Sequence, residues 1–224
     1  FDHLWKYART FERRGEEVRF DGVFGSEHED YSTVFTSSNF DVYLYRGRWV
    51  FRAVVPHQEG VAGRKVIEAI DQAEENIEIA ATHMRRKDIY LAIKSALARG
   101  VKVRMILDQQ EFRGRPRNVN VLESSDLYFD EQLSSEGAEV RYKVYMKSWR
   151  AFGAMQMHLK YLIIDGQTVL TGSFNWSANS EINSMENLNV LNSEVVAAYR
   201  LNFARIFSYG GEYGAKKLID LVRR

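Results

Sequence analysis

The sequence predicts an α/β fold, a mixed, largely parallel central sheet flanked by helices. Three observations carry this prediction. Short apolar runs alternate with amphipathic helical stretches from residue 56 onward. A strand, helix, strand order spans Ile77 to Asp108, which requires a right-handed crossover between parallel strands. The chain is also long and apolar enough for a sizeable core, with 224 residues of which 45% are hydrophobic.

Composition narrows the function classes. With 31 basic and 30 acidic residues the net charge is +1, which excludes an acidic tail protein and a histone-like basic one. Zero cysteine excludes a disulfide scaffold and any thiolate zinc site, and leaves the compartment open, exported and membrane-peripheral settings included. No apolar run approaches the roughly 20 residues of a transmembrane helix. Only 2 prolines argue against a Pro-rich linker, leaving an ordered, soluble globular chain as the expectation.

Residues 1–55 are expected to form an N-terminal helix, capped near Gly15, followed by an irregular β segment. Asp21-Gly22, Gly25-Ser26 and Ser37-Ser38-Asn39 are its turn signals, while Val42, Leu44, Trp49 and Phe51 alternate as strand residues. Residues 56–224 form the second unit. Val66, Ile67, Ile70 and Ala73 recur at helical spacing against Glu68, Asp71 and Glu74. Ile77 to Thr82 is a buried strand. Asp88 is the expected N-cap of a helix carrying Ile89, Ile93, Ala96 and Leu97, which Gly100 ends. Val101, Val103, Met105 and Leu107 alternate in the next strand. Residues 109–136 are expected to be irregular and hold Arg113, Arg115 and Arg117. Ala138 to Val144, Met157 to Ile164, Thr168 to Thr171 and Asn187 to Leu191 are expected strands, with an Asp165-Gly166 hairpin turn. Ser193 is expected to cap a closing helix through Phe203 and Phe207.

The most informative stretch runs from Gln156 to Asn175. On a strand, residues two apart share a face, so His158 and Lys160 project together, while Leu159, Tyr161 and Ile163 form an opposite, buried face. An imidazole beside an ammonium suits an anionic substrate. Gly172 and Ser173 allow close backbone approach, and Asn175 adds an amide donor. Glu186 is placed to reach the second imidazole nitrogen of His158 and fix its tautomer. An isolated H-x-K is commonly a surface coincidence, but H-x-K-x4-D-x6-G-S-x-N fixes six residues across positions 158–175.

That spacing resembles the HKD signature of the phospholipase D superfamily, and Ile77 to Asp108 resembles the family's entry unit. The resemblance implies a metal-independent phosphodiester hydrolase or transferase with no cofactor. His158 would form a phosphohistidine, Lys160, Asn175 and Ser173 would meet the phosphate, and Glu186 would orient His158. Asp165, at a strand end facing the turn, is read as a structural anchor more than a proton carrier. Arg85 and His83, at a strand-to-helix junction, and Trp176, beside Asn175, are the candidate substrate-binding residues; a solvated turn and a pocket wall are their plainer roles. No metal ligands are expected.

Two such motifs meet at one site in this family, and this chain has one. His3, His28, His57 and His83 are followed at the second position by Trp5, Asp30, Glu59 and Arg85. The second half would come from a homodimer mate, as in the small bacterial nucleases, or from a missing upstream repeat. Phe1-Asp-His-Leu-Trp5, which echoes Phe203-Ala-Arg-Ile-Phe207, would be that repeat's tail. Phospholipid cleavage is preferred, a DNA or RNA nuclease is the alternative, and a non-catalytic binding or dimerisation module is the third.

Overall fold

The structure, a computed structural model, describes residues 25–27, 31–82, 84–108, 127–143, 157–192 and 194–209. Eight strands form one sheet. In chain order they are Gly25–Glu27 (β1), Tyr31–Phe35 (β2), Asn76–Ala81 (β5), Lys102–Asp108 (β6), Glu139–Lys143 (β7), Lys160–Ile164 (β8), Thr168–Gly172 (β9) and Asn187–Leu191 (β10). Phe40–Tyr45 (β3) and Arg48–Ala53 (β4) form a separate two-stranded hairpin. The spatial order of the large sheet is β1-β2-β10-β9-β8-β5-β6-β7.

The mixed α/β sheet is as expected, but it is mainly antiparallel rather than largely parallel, with its parallel part confined to β5, β6 and β7. The other neighbours pair antiparallel; β8 and β9 are joined by a tight hairpin, too short for a parallel crossover, and β9 and β10 by a short return. β2 pairs with β10, so the sheet recruits strands from both sides of residue 55.

Helices cover both faces. Val61–Gln72 (α1) buries Ala62, Val66 and Ile70 at the predicted spacing. Lys87–Ala98 (α2) buries Ile89, Ile93 and Ala96. Together with Leu127–Ser135 (α3), they pack on Ile77, Ile79, Met105 and Leu162. On the opposite face, Val195–Tyr209 (α5) lays Val196, Phe203 and Phe207 over Ala80, Ile106, Tyr161 and Ile163. Each such large apolar side chain contributes about 1.5–3 kcal/mol when fully buried. The short helix Ala178–Ile182 (α4) precedes β10.

Several expectations are corrected. α3 occupies part of the stretch expected to be irregular, since Phe129 and Leu133 bury four residues apart against the core. Asp88 lies inside the first turn of α2; Arg86 is the capping residue, and the Asp88 carboxylate pairs with it. β8 begins at Lys160, so His158 precedes the strand. Both faces of β8 are buried, not one, because it is central in a sheet covered on both sides. The N-terminal helix, the Arg113–Arg117 loop and Ser193 lie outside the described residues.

The β8–β9 turn shows how the sheet end is held. Asp165 and Gly166 have φ of 50° and 65°, the pair that a type I′ hairpin requires. The Asp165 carboxylate accepts N–H bonds from Glu74 at 2.9 Å, Glu75 at 2.8 Å and Asn76 at 2.8 Å, which tie the turn to the α1–β5 connection. Partial burial alone would raise the Asp165 pKa, but these three donors hold it below the usual carboxylate value. Asp165→Asn keeps the turn, since asparagine tolerates positive φ, and loses the charge. We expect a loss of about 1–2 kcal/mol in urea unfolding at neutral pH, modest because the group is partly solvated. A depressed native pKa contributes stability above the unfolded value and loses it as pH falls. The gap between wild type and variant should therefore close below about pH 4.

Candidate functional site

Topology brings four strand ends together. β5 runs parallel to β6 and antiparallel to β8, so the end of β5 lies beside the start of β8. β9 ends and β10 starts at that same edge. An isolated bridge between Met84 and Trp176, with Arg85 N–H donating to the Trp176 carbonyl at 2.8 Å, joins the segments leaving β5 and β9.

The short approach to β8, which carries His158, is pinned from both neighbours. The buried Asp108 carboxylate accepts the Met157 N–H at 2.7 Å. Thr82 donates from Oγ1 to the Met157 carbonyl at 3.0 Å and from its N–H to the Leu159 carbonyl at 3.1 Å. The backbone on each side of His158 is thereby held while the ring itself is exposed.

Lys160 is 7% exposed, and its Nζ lies 3.1 Å from His158 Nδ1 and 3.0 Å from the His158 carbonyl oxygen. Burial disfavours the ammonium and pushes its pKa below the usual lysine value, against the opposing pull of Glu186. As an ammonium, Lys160 donates to Nδ1, which leaves the imidazole proton on Nε2.

Gly172 lets β9 close on β10, because a Cβ there would overlap the Asn187 carbonyl. Ser173 N–H donates to the Asn187 carbonyl at 3.1 Å, and its Oγ accepts the Asn187 N–H at 3.2 Å. Asn175 Oδ1 is enclosed without a hydrogen-bond partner. Such a buried unpaired group costs about 1–3 kcal/mol until something meets it. Glu186 is fixed by its backbone, which exchanges bonds with Thr36, while its carboxylate feels Lys160 electrostatically.

Below this edge sits a buried ion pair. Glu181, 0% exposed, accepts from Ala62 N–H at 3.0 Å, Gly63 N–H at 2.8 Å, Asn39 Nδ2 at 2.9 Å and the Arg86 guanidinium. Arg86 also pairs with Asp88: burial alone would raise the Asp88 pKa, but the guanidinium holds it below the usual carboxylate value. Gly63 is required at the start of α1 because a side chain would overlap the Arg86 guanidinium.

Residues 66–207, more than half of the chain, match a family model described as cardiolipin synthase, PLD-like domain. The chain belongs to the phospholipase D superfamily. A phospholipase D of Rickettsia conorii is 30% identical over 128 residues, 57% of this chain and 54% of that protein. A mitochondrial cardiolipin hydrolase of Xenopus tropicalis is 24% identical over 68% of this chain and 64% of that protein. The chain thus spans between half and two thirds of the length of these two curated relatives. The phospholipase D family member Nuc of Salmonella typhimurium superposes with a TM-score of 0.58 at 25% identity, covering 69% of this chain and 92% of Nuc.

Within this superfamily member, the motif residues His158, Lys160, Ser173, Asn175 and Glu186 converge on one edge. Asp165 lies at the far end of β8, bonded to backbone. Two placements differ from expectation. The hydrogen-bond partner of the His158 ring is Lys160, at Nδ1, and Glu186 acts on Lys160 through charge rather than on His158 through a hydrogen bond. Trp176 is 1% exposed and belongs to the core, packed behind the edge rather than open to a substrate. Arg85 is exposed beside the edge, and His83 lies outside the described residues. Arg86, next to Arg85 in sequence, is buried and pairs with Glu181 and Asp88.

Glu181, Thr82 and Asp108 were not legible as site supports. The two glycines at 60 and 63, flanking the start of α1, were the available sign that something bulky packs there. Removing one partner of a buried pair strands the other. Glu181→Leu should therefore cost about 3–5 kcal/mol in chemical unfolding, and the double variant Glu181→Leu/Arg86→Met should recover part of it.

Proposed function

We propose that the protein is a phosphodiester hydrolase or transferase that acts on phospholipids through a phosphohistidine on His158, with no metal ion in the reaction. The observation that carries this is the buried Lys160 ammonium 3.1 Å from the exposed His158 ring, at the edge that also carries Asn175. The names of the curated relatives, phospholipase D and cardiolipin hydrolase, favour a lipid diester. A net charge of +1 offers little general attraction to a nucleic-acid polyanion.

The steps follow from charge. A substrate phosphate is a stronger acceptor than an imidazole nitrogen, so Lys160 shifts its bond from Nδ1 to a non-bridging oxygen. With Nδ1 released, the ring proton moves through solvent from Nε2 to Nδ1, and His158 offers the Nε2 lone pair to phosphorus. An N–P bond forms as the P–O bond to the leaving group breaks. A second imidazole, from another copy of the chain or another segment of the full protein, protonates the leaving oxygen. Water or an alcohol then attacks phosphorus, gives its proton to that second imidazole and releases His158. Lys160 and the Asn175 amide neutralise the oxygens, whose charge peaks in the five-coordinate transition state.

Phosphatidylcholine hydrolysis, followed as choline release in the presence of excess chelator, is expected for wild type and abolished in His158→Ala. Cleavage of single-stranded DNA or RNA with no lipid turnover would replace the lipid reading, and no turnover of any diester would leave a binding module. Lys160→Ala should lower kcat by about 100-fold or more while KM changes less, because its charge matters most at the transition state. Glu186 holds the Lys160 pKa up. With Glu186→Gln, the alkaline decline of kcat/KM should therefore begin at lower pH than in wild type.

A further inference from the structure

The β3–β4 hairpin pairs with no other strand among the described residues. The register sets Leu44 opposite Trp49 and Val42 opposite Phe51 on an apolar face, and Tyr45 opposite Arg48, Tyr43 opposite Val50 and Asp41 opposite Arg52 on a face that mixes tyrosine, valine and charge. At the root, Phe40 and Val42 are buried; farther out, Leu44 is 56% exposed and Phe51 43%. Arg46 and Gly47 form the tip, both at positive φ, and the Arg46 guanidinium lies over the Tyr45 ring at 5.2 Å. Residues 42–51 hold two arginines and no acidic residue.

We propose that the outer half of this hairpin is an interfacial anchor for an anionic lipid surface. An element that shows aliphatic and aromatic groups on one face, with tyrosine and arginine at its tip and opposite face, matches the layered polarity of a headgroup boundary. Nucleic acid is a poorer occupant, since stacking uses aromatic planes and gains nothing from Leu44. A second copy is poorer too, because so few exposed side chains fall far short of the roughly 1,000 Å² that a specific interface buries.

The root explains what anchoring achieves. The 3₁₀ turn Thr36–Asn39 leads into β3, and its Thr36 Oγ1 bonds the Ser184 carbonyl at 2.7 Å and accepts from Glu186 N–H at 2.7 Å. Asn39 bonds Glu181, and its carbonyl accepts the Val54 N–H at 2.9 Å to close the hairpin base. The hairpin is thus fastened to the segment that carries Glu186, and seating it in a bilayer sets that segment at the headgroup layer. This last consequence rests on the phospholipid reading; the anchoring does not.

The test is cosedimentation of the full chain with phosphatidylcholine vesicles, with and without phosphatidylglycerol, alongside turnover of soluble bis(p-nitrophenyl) phosphate. Wild type and His158→Ala should bind anionic vesicles equally. Leu44→Ser/Phe51→Ser should bind at least about tenfold more weakly, with soluble-diester turnover at the wild-type level, which also reports an intact fold. Arg46→Asn/Arg48→Gln should lose the preference for phosphatidylglycerol. Unchanged vesicle binding in both variants would overturn the anchor. So would variants that lose only single-stranded oligonucleotide binding or only self-association. Absent diester turnover in wild type with intact, hairpin-dependent vesicle binding would count against the enzymatic reading and leave the anchor standing.

Discussion

The Glu181 carboxylate, fully enclosed and bonded to Arg86, is the interaction on which the remainder of this edge depends. A buried charge survives only if its partners are complete. Glu181 finds them in the first N–H groups of α1, in Asn39 and in the guanidinium at the start of α2. Each partner belongs to a different element, so one carboxylate fixes two helix starts, the hairpin root and the loop between Asn175 and Glu186. The positive end of the α1 backbone dipole adds to the same balance.

Above this foundation the chemistry is assembled by opposing demands. Lys160 lies where burial disfavours its charge, and Glu186 offsets part of that penalty. The His158 ring is exposed, and the backbone on either side of it is held by bonds to Asp108 on β6 and to Thr82 just past β5. Rigidity is supplied by strands and access by their ends. This division is why an open α/β sheet places its ligands beyond strand termini.

Much of the fold was legible because periodicity reports burial directly. Val66 and Ile70 in α1, the alternation of Val103 and Met105 in β6, and the Asp165-Gly166 turn all follow local rules. The misjudged places share one cause, a partner distant in sequence. Asp88 looks like a cap until Arg86 claims it. Trp176 looks like a pocket wall until the helices of one face enclose it. Leu127–Ser135 looks irregular because only tertiary packing selects its helix.

The sequence by itself determined the chemical inventory: one imidazole, one ammonium and one amide at a spacing that resembles a single superfamily. Tertiary structure alone decided which of these groups touch. Lys160 reaches Nδ1 of His158 and Glu186 does not, Arg86 is buried and Arg85 is not, and the β3–β4 hairpin stands apart from the main sheet. The physical reason is that hydrogen bonds and burial are settled between residues far apart in the chain, as Glu181 and Asn39 show. Local spacing constrains only which face each side chain offers.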